Sequence, residues 1–271
     1  MQILKISLAL STVTLPLAAQ QPGYRFSTND TVRYREVTEG RIELRPTTDT
    51  VILKTRHDAE IALTAERGDT VTAWYEELAL SSTSPEGEWH PSTSAALHQP
   101  FRLVFKPGGK VTTVSAPSFP AEIASHTELH REFEDFFISL PTSPLRARIT
   151  WTDTVENTTS GSPQETFQSR HIRHYRVLRD TVLADHVKAI VIAVEQEITL
   201  RSSSPMKNAP VTIFTRLEGR EEGTAVFNPA TRRLLTRVRR GHLNGEQVLR
   251  GESREMTVPL LFEYSSSLVT R

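Results

Sequence analysis

Among its 271 residues the chain has no cysteine. Disulfides and thiolate metal sites are therefore excluded, and the fold must be held by burial alone. Net charge is also missing: 32 Lys and Arg balance 32 Asp and Glu. The balance hides a gradient, with net −2 over 21–120, −4 over 121–144 and +5 over 145–271. So small a basic excess, without aromatics at stacking spacing or any recognition motif, argues against nucleic acid as a partner. No segment approaches the roughly 18 consecutive apolar residues of a membrane helix, so no transmembrane span is expected in the mature chain. A nucleophile elbow, G-x-S-x-G, is missing. Gly108-Gly109-Lys110 lacks the first glycine and the Ser or Thr of a phosphate loop, and reads as a turn.

What is present begins with Lys5, followed by a short apolar core from Ile6 to Leu17 and by Ala18-Ala19-Gln20. One positive charge, a short core and small residues at the cut predict a signal peptide over 1–19. The alternative is a first strand. With the signal removed, residues 20–271 form one exported β-rich domain, periplasmic or secreted, long enough to bury its own core.

Asp-Thr-Val occurs at Asp30, Asp49, Asp69, Asp153 and Asp180, taking five of the eight aspartates. Asp favours a turn and the β-branched pair favours a strand, so each copy reads as a turn becoming a strand. The first three lie 19 and 20 residues apart, a spacing for antiparallel hairpins and too short for crossover helices. A meander is expected over about 24–114, with turns at Glu39-Gly40, His57-Asp58 and Gly68-Asp69. An exposed loop is expected over 81–100, and a hairpin from Phe101 to Val114. Between Pro120 and Leu140 the period changes. Ile123, Leu129, Phe133, Phe136, Phe137 and Leu140 follow one helical face, predicting an amphipathic helix over about 120–140. C-terminal strands follow over about 145–264, broken by a Thr/Ser/Gly loop at 157–163. Val187 to Val194 is apolar on both faces apart from Lys188, which predicts cover on two sides.

Two constellations invite chemistry. His126, His130 and Glu134 align on the expected helix, but the zinc-protease pattern places Glu directly after the first His, and here that residue is Thr127. A partly buried, hydrogen-bonded histidine is the simpler reading, and no metal or cofactor is expected. Asp-Thr-Val lacks the glycine of the aspartic-protease triplet at every copy. The run Arg232 to Arg240 would place Arg233, Arg237 and Arg239 on one face of a strand with Leu235, as an anion-binding row for lipid phosphates or an acidic partner. The competing reading is the solvated face of an edge strand.

Phe136-Phe137-Ile138-Ser139-Leu140-Pro141 through Leu145, then Thr150-Trp151-Thr152-Asp153, resembles the "F-x-x-L-P-x-x-P-V, then G-x-x-W" passage of a family of secreted bacterial β-rich proteins of unassigned function. Gly219 to Phe227 followed by Asn228 to Leu234 is similar to that family's "G-x-G-x-x-x-F-D, turn, G-x-L" hairpin. Arg148, Glu221 and Arg232 stand where the pattern has glycine. The resemblance implies a lipoprotein-carrier-type fold, a curved antiparallel sheet around a helix.

The expected architecture is thus mainly β, a large curved antiparallel sheet, half-barrel-like, with one central amphipathic helix. The alternative is two small β subdomains joined by that helix. A non-catalytic envelope or interaction protein is the first functional reading, with an envelope protein as partner. An apolar-ligand or lipid-binding module is the alternative, with Phe133, Phe136, Phe137, Ile190 and Ile192 lining a cavity, and a hydrolase comes last.

Overall fold

Apolar and polar residues keep alternating through places where the sequence suggests turns, and the strands are correspondingly long. The computed structural model describes residues 23–28, 30–46, 49–120, 123, 133–162, 165–206, 209–252 and 254–271. Among them are β1 (Val32–Leu44), β2 (Val51–Ala65), β3 (Thr70–Ser84), β4 (Gly87–Trp89), β5 (Phe101–Phe105) and β6 (Val111–Ser115). The second half supplies β7 (Thr150–Ser162), β8 (Glu165–Val182), β9 (Lys188–Pro205), β10 (Thr212–Asn228), β11 (Arg233–Arg250) and β12 (Glu255–Thr270). They form one open sheet in the order β6-β5-β3-β2-β1-β12-β11-β10-β9-β8-β7, with β4 paired to the end of β3. Its strand pairs are antiparallel, and the first strand joins the last, Gly40 opposite Tyr264.

This order places β6 and β7, neighbours in sequence, at opposite edges of the sheet. The chain between them must therefore pass from one edge to the other. Its longest described stretch, residues 133–149, is a strap across one face of the sheet, here called the inner face. Phe133, Phe136 and Phe137 are all buried. Phe133 meets Phe101 at 4.8 Å, Phe136 meets Tyr34 at 5.4 Å, and Phe137 meets Tyr24 at 4.9 Å and Phe105 at 5.0 Å between ring centroids.

Among the described residues the expected helix is not seen. Most of its first half lies outside the described residues, and 133–140 is a short 3-10 turn running into extended chain. The reason lies in the backbone partners. Carbonyls that a helix would use internally are taken by side chains from elsewhere in the fold: Arg237 Nη1 donates to the Asp135 and Phe136 oxygens, Tyr24 to Ile138 O, and Trp151 Nε1 to Ser139 O. The Leu140 N–H donates to Gly108 O at 2.6 Å, so the β5–β6 turn pins the strap's end. Phe136, Phe137 and Ile138, three residues in a row, are buried, which one face of a helix does not allow.

The turns need correction too. Glu39-Gly40 lies inside β1, with Gly40 opposite Thr55, and His57-Asp58 lies inside β2, with Asp58 opposite Val37. Gly68-Asp69 does turn, with Gly68 at φ 63°. The first three Asp-Thr-Val copies stand where β1, β2 and β3 begin, whereas Asp153 is within β7 and Asp180 is near the end of β8. The supposed loop at 81–100 holds the end of β3 and β4, and that at 157–163 holds the end of β7. Polar residues misled because the outer face is polar in mid-strand as well as at turns.

One more expectation changes. Ile190 and Ile192 face inward, but among the described residues no second layer covers the outer side of β9. There Ala193 sits opposite Arg176 and Thr224, half-buried in the sheet's own surface.

Glycine shapes the middle of the sheet. A Cβ at Gly219 would sit 2.1 Å from His242 O, and one at Gly245 would sit 1.8 Å from Arg216 O. Only bare backbone lets β10 and β11 approach so closely on the inner side, which is how a sheet acquires sharp local curvature.

Candidate functional site

Register brings charge to the centre of the inner face. Across neighbouring strands the order Ile192, Ala225, Arg237, Leu268, Glu36, Ala59 makes one transverse row. Val194, Gly223, Arg239, Ser266 and Thr38 make the next. Asp153, Arg173, Gln196, Glu221, Gly241 and Tyr264 make the third. The strap lowers Asp135 onto this patch, so Arg173, Arg237 and Arg239 meet Glu36, Asp135, Asp153 and Glu221.

Arg237 Nη2 donates to Glu36 Oε1 at 2.9 Å, and Ser266 Oγ donates to the same oxygen at 3.0 Å. Arg239 lies 3.3 Å from Asp135 and 3.7 Å from both Glu36 and Glu221. Arg173 pairs with Asp135, and its Nε donates to Gln196 Oε1 at 2.8 Å. Gln196 Nε2 in turn lies 2.8 Å from His171 Nδ1. Tyr264 donates to Glu221, and Ser139 Oγ donates to Asp153 at 2.6 Å. The Arg237 guanidinium also lies over the Phe136 ring, 5.7 Å from its centroid.

Burial sets the electrostatics. Desolvation, with Arg239 beside it, holds Arg237 down to about 10. Desolvation pushes the Glu36 carboxyl up, yet Arg237 and Arg239 outweigh it and leave the group below its ordinary range. Desolvation also lowers His171, and desolvation with the Glu221 charge raises Tyr264. These groups hold one another's charges in a dry place. The hollow that Asp135, Arg173, Glu221, Arg237 and Arg239 bound with Phe137, Ile138 and Val194 is ≈ 20 Å³, about the space of one water.

The residues expected to line a ligand cavity, Phe133, Phe136, Phe137, Ile190 and Ile192, are packed in the main core. The arginine row divides. Leu234 pairs with Phe227 while Thr236 pairs with Val226, so Leu235 is an extra residue and the strand changes phase there. Thr270 Oγ1 seals the bulge by donating to Leu234 O and Leu235 O. Arg237 and Arg239 consequently turn inward with Leu234, and Arg233 instead pairs with Asp30. Nor is β11 an edge strand, since β10 and β12 flank it. Glu36, Glu221, Arg173 and Tyr264 escaped sequence reading. Glu36 had the better signal: it follows Val32 and Tyr34 at period two on a face otherwise apolar.

His126 and His130 lie outside the described residues, and Glu134 is half-buried beside Phe133. Beyond the charged patch, Ile198, Leu217, Leu243 and Leu260 form a second apolar cluster with Ile42, Leu44, Leu200 and Phe262, all of them sheet residues.

The outer face carries a transverse furrow made of two register rows. One reads His174, Glu195, Glu222, Arg240, Ser265, Glu39, Arg56, Ser81 from β8 to β3. The other reads Glu197, Arg220, His242, Glu263, Arg41, Lys54, Thr83 from β9 to β3. Two grooves occupy it, of ≈ 590 Å³ on the β1–β2 side and ≈ 640 Å³ on the β9–β10 side, sharing Arg240 and Gly241.

No family model and no curated protein sequence matches the chain. Among solved structures, it is similar to lipovitellin, in a structure of lipid–protein interactions, at TM-score 0.49 and 11% identity over 91% of this chain. The chain spans only 25% of that protein's length. It is also similar to OccK2 (OpdF) of Pseudomonas aeruginosa at TM-score 0.24 and 7% identity, over 91% of this chain and 99% of the other.

Proposed function

We propose that the chain is an exported, non-catalytic binding protein whose inner face is a closed structural core and whose recognition surface lies elsewhere on the sheet. The observation that carries this reading is the mutual pairing of the buried charges under the strap, around a hollow of ≈ 20 Å³. A catalytic acid or base must reach a substrate. Here Arg237 and Glu36 have side chains 5% and 3% exposed, and each already holds the other. Export rests on the pattern from Lys5 to Ala19.

A second reading, an apolar-ligand module, is favoured by the cluster around Leu243 and Phe262, which among the described residues is covered by sheet residues alone. Titration with a fluorescent naphthalene probe separates the two. The closed-core reading expects no saturable binding, and no lipid in organic extracts of protein purified from its native host. Saturable binding that Phe262→Glu abolishes while the circular dichroism spectrum is retained would replace it with the apolar-ligand reading.

A further inference from the structure

We infer that the β1–β2 half of the outer furrow is a binding site for an acidic oligosaccharide. The inference rests on the reading of the chain as a binding protein and gives that protein its surface. The furrow is polarised. Arg41, Lys54, Arg56 and Arg240 line this half, against Glu39 and Glu263. The other half carries Glu195, Glu197, Glu221 and Glu222 against Arg220 and the shared Arg240.

Arg41 stands directly opposite Lys54 across β1 and β2. Like charges so placed repel and cost stability, and an anion between them relieves the repulsion. Arg41 and Arg56 have local carboxylates in Glu43, Glu39 and Asp58. Among the described residues Lys54 and Arg240 have no ion-pair partner, so these two are the charges free to hold a ligand. They stand three strands apart, roughly 14 Å at the usual strand spacing. A single small anion does not span that distance, and an extended chain does. The groove's ≈ 590 Å³ falls within the roughly 300–1,000 Å³ of ligand clefts.

The neutral lining chooses the class of chain. Ser265 presents its hydroxyl between Arg240 and the β1–β2 cations, Ser81 and Thr83 present theirs beside Arg56 and Lys54, and the exposed Glu39 and Glu263 carboxylates add acceptors. Those carboxylates would repel a bare polyanion that brings no donors of its own. They suit one that sets hydroxyl donors among its anionic groups, as an oligosaccharide bearing uronate, sulfate or phosphate does.

Isothermal titration of the full chain with tetragalacturonate, a neutral tetrasaccharide and inorganic tripolyphosphate tests this. Saturable binding of tetragalacturonate is expected, with none of the neutral sugar. Binding should weaken by about tenfold or more in the Lys54→Ala/Arg240→Ala variant and stay unchanged in Lys188→Ala at the far end of β9, with neither variant melting below the parent. Absence of saturable binding overturns the inference, and so does binding that the double variant retains. Tripolyphosphate binding as tightly as the sugar overturns the oligosaccharide and leaves a bare anion site. Because the naphthalene titration reads the inner face, failure here does not touch the closed-core reading, and failure there does not depend on the furrow.

Discussion

Arg237 and Glu36 meet at 2.9 Å although 201 positions separate them in the chain. Leu268 of β12 lies between them in the sheet, so the pair ties the C-terminal half of the fold to the N-terminal half across the strand where the halves join. Both side chains are almost wholly buried. Removing one partner leaves the other charge uncompensated in a dry site, which costs about 3–5 kcal/mol, whereas replacing both with apolar groups can be nearly neutral. Glu36→Leu and Arg237→Met are each expected to lose that much in urea unfolding, and the double variant is expected to recover most of it. Losses that simply add would mean that the two residues do not act as a pair.

Acid should weaken the same region in two steps. His171 has a folded pKa below its unfolded value, so the unfolded chain takes up a proton first. Stability is therefore full above about pH 6.5 and declines as pH falls below it. Glu36, also depressed, contributes stability above its unfolded value near 4.5 and loses it as pH falls through the folded pKa. Urea midpoints measured from pH 8 to 3 should fall over both windows, and His171→Leu should flatten the upper one alone. An upper window that survives this substitution assigns the titration elsewhere.

Much of the sheet was legible from residues alone, because period-two alternation and the first three Asp-Thr-Val copies mark real strand starts. Strand ends were not. Gly40 and His57 look like turn residues next to polar neighbours, but they face the inner side of strands whose outer rows are mostly polar. The strap was misread for a different reason. Phe133, Phe137 and Leu140 do recur at helical spacing, yet the backbone there is satisfied by Arg237, Tyr24 and Trp151 from distant parts of the chain. Arg237 and Arg239 stood out as unusual, but the direction in which they point depends on a one-residue bulge at Leu235, and their carboxylates on a register that no local pattern specifies.

Phe137 is a keystone of the strap, touching Tyr24, Phe26, Tyr34, Phe105 and Phe136. Phe137→Ala should cost about 3–5 kcal/mol in denaturant unfolding. Phe214, 37% exposed on the outer face, should cost less than about 1 kcal/mol when cut to alanine, since most of its contact is with the Arg250 guanidinium at 5.0 Å. Equal losses at the two positions would contradict a filled inner core.

The two arginines that replace expected glycines share one backbone property: Arg148 has φ 70° and Arg232 has φ 58°. An L side chain is strained in that left-handed region by about 1–2 kcal/mol, part of which glycine returns through its greater freedom in the unfolded chain. Side chains then decide the outcome. Arg148 is exposed, and the hydrogen bond that anchors it is made by its backbone N–H to Val177 O at 3.1 Å, which glycine keeps. Arg148→Gly should therefore stabilise the protein, by up to about 1 kcal/mol. Arg232 uses its side chain, donating from Nε to Gly23 O at 2.8 Å. Loss of that bond, worth about 1 kcal/mol, should cancel the relief, leaving Arg232→Gly near zero. Thermal unfolding of the two variants side by side reads the difference, and an Arg148→Gly protein that melts below the parent would show that the left-handed turn before β7 carries no strain for glycine to relieve.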